Sequence, residues 1–435
     1  MLDYISLAPF ALIALLATLY HLKYRVVKTP SSPTLPRDSK HPLPETSDTF
    51  TYPQITPCTK PLIEMKPMPY RPFRWGDYHV TMGIKTISSD HWIEVDNQFS
   101  TYHKIRTDRV AERGSQLVQT LPADEKVPVS GADAARELAD ELCEYLSRRY
   151  PNVYTVERDV HGSGGWYGEG RIVRITVLPV NATYDLRTED PMKVAGLLVQ
   201  DDLAIMLEGT DGVYYLRAGA IIVPGFWRLT DKIGMSLDEI HFSGRVPQYP
   251  TKLQTSMNRF FQRLTCDKFI QRNNYHFAVA KDPKQAGGSF DKRDPYELAW
   301  AENMVGAEDA FQAGTGLGVQ EGEASGGHGS GRMHIDPDWI SLRQERQSLR
   351  RLPRTRGIVF TVRTYLEPVS SIAQEVGVPG RMASAIRSWP EDVAEYKSRD
   401  RFQHGLLPYL DQKHAEQIAA GLLEEGEKPK TDYPF

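Results

Sequence analysis

Between Leu203 and Gly225 the sequence places two β-rich runs, LAIMLEG and VYYLRAGAIIVPG, on either side of Thr210-Asp211-Gly212. Asp-Gly between such runs supplies the positive-φ turn of a tight hairpin, so the chain must hold at least one antiparallel strand pair. RIVRITVL (171–178) and GIVFTVRTYLEPV (357–369) read as further strands. Residues 130–150 open on Ser130 as an N-cap and set Ala135, Leu138, Leu142, Tyr145 and Leu146 on one face, which predicts an amphipathic helix. A second helical stripe, Met257, Phe260, Phe261 and Leu264 within 256–269, reads as core packing. WISLRQERQSL (339–349) also predicts a helix, ended by the RLPRT stretch in which Pro353 cannot continue it. Residues 370–398 and 409–424 are expected to be helical. No fixed-period repeat is present. The order of elements predicts an α+β fold, a curved antiparallel sheet with helices packed on it.

Ahead of this body lie two segments of different composition. Residues 4–22, YISLAPFALIALLATLYHL, carry no Asp, Glu, Lys or Arg, and as a helix they would span about 28 Å, close to a bilayer core. Asp3 precedes the run, and Lys23, Arg25 and Lys28 follow it. That favours an uncleaved single-pass anchor over 1–28, with the rest of the chain in the cytosol, over a signal peptide or a buried helix. Asn181-Ala182-Thr183 would then stay unmodified. Residues 29–72 hold eleven prolines and are expected to run extended as a linker. The folded body is expected over 73–424, its pattern starting near Trp75. A flexible Gly-rich insertion falls at 313–332, and 425–435 form a charged tail.

Several function classes fall away on composition. Lys+Arg number 52 against Asp+Glu 56, so no basic excess exists to neutralise nucleic-acid phosphates. Three cysteines, Cys58, Cys143 and Cys266, are too few and too scattered for a disulfide scaffold or a zinc site, and fit a reducing compartment. HExxH, GxSxG, the P-loop and the kinase set are absent, as is a Gly/Arg-rich cysteine loop. GTGLGV in the insertion lacks the strand and helix of a dinucleotide site. Asp201-Asp202 beside an anchor would suit a lumenal glycosyltransferase, but the βα alternation of a nucleotide-sugar fold is missing.

Three segments stand out. Ile240-His241 is followed by Arg245-Val246-Pro247; LRQERQSLRRLP spans 342–353; and Arg363-Thr364-Tyr365 ends the last strand. Arg363 sits in the alternation of Ile358, Phe360 and Val362. A buried guanidinium there needs an anion, for which Glu345 or a bound carboxylate would serve.

These segments resemble the haem-dependent oxidative N-demethylase alpha-subunit-like family. Its "LRxERQxLxRLP" stretch and "RTY" strand read LRQERQSLRRLP and VRTYLEPV here. Its upstream tryptophan-to-histidine pattern is matched by Trp227, Lys232, Gly234, Ile240, His241, Val246 and Pro247. Its entry pattern is matched by Met82-Gly83-Ile84, Trp92, Glu94, Asp96 and Tyr102, and an "R.NW" element reads Arg272-Asn273-Asn274-Tyr275. The resemblance implies a PAS-like fold holding haem b. It also implies O2-dependent oxidation of a C–H bond beside an amine nitrogen, with collapse of the carbinolamine to an aldehyde and a shorter amine. Electrons would come from NADPH through separate flavin or iron–sulfur partners. Since no cysteine sits in a ligand loop, the axial donor is expected to be a histidine: His241 first, then His276, with His79, His91 and His103 behind them. Arg346 and Arg363 are candidates for the propionates, Glu345 and Arg363 for catalysis, and a buried Arg–Glu brace is the structural alternative. The substrate would be a small amine or a secondary metabolite, and the anchor fits the endoplasmic reticulum. A haem-binding sensor or carrier without turnover remains the competing class.

Overall fold

The structure, a computed structural model, describes residues 50–68, 70–159, 164–223, 227–279 and 336–424. The apolar run at 4–22, the first part of the Pro-rich stretch, the Gly-rich insertion at 313–332 and the tail at 425–435 lie outside the described residues. Among the described residues no helix is long and apolar enough to cross a membrane.

Strand β1 (Lys85–Ile87) leads to helix α1 (Phe99–Arg113), the short β2 (Val118–Thr120) and helix α2 (Gly131–Arg149). Then come β3 (Tyr154–Arg158), β4 (Ile172–Val177), β5 (Ala182–Asp185) and helix α3 (Pro191–Leu198). The hairpin β6 (Asp202–Glu208) and β7 (Tyr214–Ala220) is followed by α4 (Leu229–Lys232), α5 (Leu237–Ser243) and α6 (Gln254–Arg263). The long strands β8 (Phe269–Val279), β9 (Ile340–Arg351) and β10 (Ile358–Pro368) precede α7 (Val369–Ile372), α8 (Val378–Arg387), α9 (Glu391–Tyr396) and α10 (Gln403–Ala419).

Seven strands form one sheet in the order β1-β8-β9-β10-β6-β7-β2, antiparallel throughout. A second sheet holds β3-β4-β5. The fold is therefore α+β, with helices on an antiparallel sheet. Ser130 caps α2 by accepting from the Ala132 amide at 3.1 Å. Leu138, Leu142 and Leu146 of α2 are wholly buried, and burying each such side chain stabilises by about 1.5–3 kcal/mol. They pack in the main core with Leu203, Ile205 and Val359 of the large sheet. A second apolar cluster joins Tyr275, Phe277 and Leu342 to α8 and α10, and a third joins Met206, Leu349 and Ile358 to α4 to α6.

One helix expectation fails. Residues 340–349 form the greater part of β9, a twelve-residue strand hydrogen-bonded to β8 on one side and β10 on the other, and Trp339 ends the 3-10 turn before it. Arg, Gln, Glu and Leu are good helix formers, so local propensity pointed the wrong way. Two flanking ladders outweigh it, and every residue of β9 is buried. The stripe at 256–269 likewise ends as helix at Arg263, and Phe269 opens β8. The last helix begins at Gln403, ahead of 409.

Among the described residues of 50–72 the only element is a three-residue 3-10 turn, Leu62–Glu64. Packing starts well before Trp75. Tyr52 stacks on Trp166 with ring centroids 4.7 Å apart, and the Cys58 amide donates to the Arg149 carbonyl at 2.6 Å. Arg71 is buried and ion-paired to Glu367 at 2.7 Å and to Glu375.

Candidate functional site

Residues directly opposite one another in an antiparallel pair share a face, and faces alternate along a strand. The registers Asn274↔Glu345 and Glu345↔Thr364 therefore put Arg272, Asn274, His276, Arg343, Glu345, Gln347, Val362 and Thr364 on one face. Gln344, Arg346, Ser348, Arg350, Thr361, Arg363 and Tyr365 occupy the other. Glu345 and Arg346 thus point to opposite sides of the sheet.

The Arg346 face is a closed brace. Arg346 is fully buried, with Nε 2.9 Å from Glu94 Oε1 and further bonds to the carbonyls of Trp92 and His91. Arg363, equally buried, donates to Asp96 Oδ2 at 2.7 Å and lies over the Tyr102 ring at 4.2 Å. Burial alone would lower the pKa of either guanidinium, but Asp96 and Glu94 outweigh it and hold both charged. The anion that Arg363 requires is thus Asp96, not Glu345. Trp92, Glu94, Asp96 and Tyr102 of the entry pattern are the partners of the two arginines in the later motif. A cavity of about 240 Å³ opens on this side, lined in part by Lys60, Lys66, Glu94, Arg149 and Tyr365. Neither His241 nor Glu345 borders it.

The opposite face carries a polar cluster around Glu345. Glu345 accepts from Gln347 Nε2 at 2.9 Å and Asn274 Nδ2 at 3.4 Å, with Arg343 Nε at 3.7 Å. His276 is buried, with Nε2 3.3 Å from Asn274 Nδ2 and its ring 5.7 Å from that of Tyr396. Burial holds its pKa well below the ordinary value, with the Lys397 and Arg343 charges adding to the shift. Burial also brings Lys397 down to about 7, against the pull of Glu345 and with the push of Arg272. Tyr396 is pushed up to about 12 by burial and by Glu345.

His241 belongs to α5, whose first turn is fixed by a capping box. The Glu239 amide donates to Ser236 Oγ at 3.2 Å, and the Ser236 amide donates back to Glu239 Oε2 at 2.8 Å. Asp238, next in the helix, is buried and accepts from Tyr249, Gln254 and Asn258. These contacts fix the half-buried His241 in the last turn. Its Nδ1 donates to the Leu237 carbonyl at 2.7 Å, and its ring stacks on Tyr249 at 4.5 Å and 9°. Burial pulls its pKa down to about 4, against the bond to Leu237, with the Arg272 charge adding to the shift. The imidazole is therefore neutral at physiological pH, and its Nε2 carries the lone pair. A metal-binding histidine commonly has this arrangement, with the distal N–H given to a carbonyl. Trp227, Ile240, Phe242, Val246 and Phe360 are partly buried apolar neighbours in the cluster that holds Tyr249.

The remaining histidines are placed differently. His79 and His91 are exposed, and His103 Nε2 lies 2.7 Å from the Tyr184 hydroxyl. Asp202 is bound by Arg106 and by the amides of Ile222 and Val223, so it is not half of a metal-holding pair. Sequence reading passed over Arg272, Tyr396 and Lys397 as site residues. The polar alternation Arg272, Asn274, His276, running into the aromatic Tyr275 and Phe277, was the signal that could have found the first.

The sheet and its polar face define an α+β protein in which the neutral His241 imidazole is oriented by Leu237 and Tyr249. The haem-dependent oxidative N-demethylase, alpha subunit-like family matches residues 83–407, and the chain belongs to that family. Haem is accordingly its cofactor class, and oxidative demethylase chemistry its activity class. His241 and the apolar neighbours on its side fit a porphyrin. Arg346 and Arg363, fully buried and paired, do not fit as partners for its propionates.

Proposed function

We propose that this protein uses haem b to oxidise a C–H bond beside nitrogen in an amine or a related secondary metabolite, on a PAS-like scaffold. The observation that carries the reading is the His241 ring, whose Nδ1–H is committed to Leu237 and whose Nε2 is the free donor. When bound, the haem supplies the O2 chemistry, and the chain supplies ligand, polarity and access. His241 would hold the haem iron through Nε2, kept in one tautomer by Leu237 and in one plane by Tyr249. Glu345 would hold a cationic amine on the same strand face as His276. The electrons would arrive from NADPH through a separate flavin or iron–sulfur protein. An anchor at 4–22 would set the enzyme on the cytosolic side of the endoplasmic reticulum, beside a membrane-bound donor.

The test is an ultraviolet–visible spectrum of the purified full-length chain with pyridine treatment, alongside His241→Ala and His276→Ala. The expected result is a Soret band lost in the His241 variant and kept in the other. An unchanged His241→Ala spectrum removes that ligand assignment. A preparation that stays colourless when hemin is titrated in overturns haem binding. NADPH-dependent O2 uptake with a reductase and candidate amines then separates an oxidase from a haem sensor.

A further inference from the structure

Most arginines on the β8–β9–β10 surface have an identified partner. Arg346 has Glu94, Arg363 has Asp96, Arg350 has Glu141 at 2.6 Å, and Arg351 donates to Leu264 O at 2.6 Å and to the Tyr214 hydroxyl. Arg343 donates to Thr364 Oγ1 at 3.2 Å. Arg272 breaks the pattern. It is half-buried in the middle of β8, and its Nε, like those of Arg343, Arg346, Arg350 and Arg363, lacks a hydrogen-bond partner, but unlike those four Arg272 forms no ion pair among the described residues.

The surroundings of Arg272 define what is missing. Its register partner is Gln347, and the carboxylate that acts on its charge most is Glu345. Glu345 is already engaged by Gln347 and Asn274, and it stands beyond ion-pair distance of Arg272 among the described residues. Tyr396 and Tyr78 are its other electrostatic neighbours, and both are raised in pKa and so neutral. Ile270, Leu349 and Phe360 lie on the Arg272 face of the sheet and belong to the apolar cluster of Tyr249, on which the His241 ring stacks, so cation and imidazole border the same apolar surface. A half-buried guanidinium whose Nε is enclosed and that has no anion is incompletely compensated for lost hydration, and an incoming carboxylate recovers that loss through paired, charge-assisted hydrogen bonds.

We propose that Arg272 is the cation that receives a propionate of the porphyrin whose iron His241 would hold. The assignment rests on the haem reading above. It moves propionate recognition from the ERQ and RTY arginines of β9 and β10 to the neighbouring strand. Arg272 is here a cofactor-binding residue and takes no part in bond breaking.

The experiment titrates hemin and hemin dimethyl ester, which lacks the carboxylates, into the full-length apoprotein and follows the Soret band. The proteins are the wild type, Arg272→Ala and Arg272→Lys. Wild type is expected to bind hemin about tenfold or more tightly than the ester. Arg272→Ala is expected to lose that difference while still binding the ester as the wild type does, and Arg272→Lys to keep part of it. Equal affinity of the wild type for hemin and ester overturns the assignment without any variant having to fold. So does Arg272→Ala binding hemin as tightly as the wild type. Binding of neither porphyrin by the wild type overturns the haem reading itself, a result separable from the other two.

Discussion

Arg363 lies directly across the β9–β10 pair from Arg346, two guanidiniums in register on one face of the sheet. Like charges placed so would repel. Each is instead neutralised by a carboxylate from the same extended segment, Glu94 for Arg346 and Asp96 for Arg363. Breaking one such buried pair strands the other charge and costs about 3–5 kcal/mol. Asp96→Asn is therefore expected to destabilise the fold by that amount, read as a lower urea midpoint. The double variant Asp96→Leu/Arg363→Met should recover most of the loss. A midpoint for Asp96→Asn within about 0.5 kcal/mol of wild type, the range of an ordinary surface change, would exclude the brace.

That relationship also shows where sequence reading reached and where it stopped. The hairpin at Asp211-Gly212, the Ser130 cap and the strand ending in RTY were legible, because turn chemistry, caps and β-branched alternation act locally. The nature of β9 was not. Its Arg, Gln and Glu residues are buried only because partners far away in sequence meet them: Glu94, Glu141 and Asn274. Long-range pairing of this kind leaves no periodic trace in the strand itself. For the same reason the carboxylate partners of Arg346 and Arg363 were not legible, whereas the capping box from Ser236 to Glu239 that starts the His241 helix is a local signal.

Asp201 predicts a pH effect on stability. Its side chain is fully buried, and neither carboxylate oxygen has a hydrogen-bond partner among the described residues. Burial raises its pKa to about 6, against the pull of Arg363 and Arg346. The unfolded group titrates near 4, so the native state binds the extra proton between about pH 4 and 6. The stability from that proton is complete below about pH 4 and is lost as the pH rises through 6. Two units correspond to roughly 3 kcal/mol. Asp201→Asn should therefore be more stable than wild type at pH 8, with the gap closing towards pH 4. Parallel denaturation midpoints across that range would exclude the effect.

Tyr249 holds His241 in two ways, by its stacked ring and by donating its hydroxyl to Asp238 at 2.7 Å. Tyr249→Phe keeps the stack and should cost only about 0.5–1.5 kcal/mol of stability, with an unchanged Soret maximum. Tyr249→Ala frees the imidazole and leaves a cavity. Its hemin affinity is expected to fall about 10–100-fold, the usual effect of losing a group that orients a metal ligand. Hemin titrations of the two variants check this, and equal affinities would show that the stack does not orient the ring.

Glu345 gives the prediction that best separates structure from chemistry. It faces the same side as Arg272 and His276, its charge raises the Lys397 ammonium, and its partners Gln347 and Asn274 can also bond an amide. Glu345→Gln should therefore fold normally and load haem normally, because no ligand or propionate partner is removed. Loss of the carboxylate lets burial and Arg272 act unopposed, so the Lys397 pKa should move down from about 7. Direct nitrogen NMR of the lysine Nζ reads that shift. If Glu345 holds a cationic amine, KM rises about tenfold or more, the weight of one charge-assisted hydrogen bond. An unchanged KM with a displaced Lys397 titration would make Glu345 an electrostatic support for Lys397 and remove it from substrate binding.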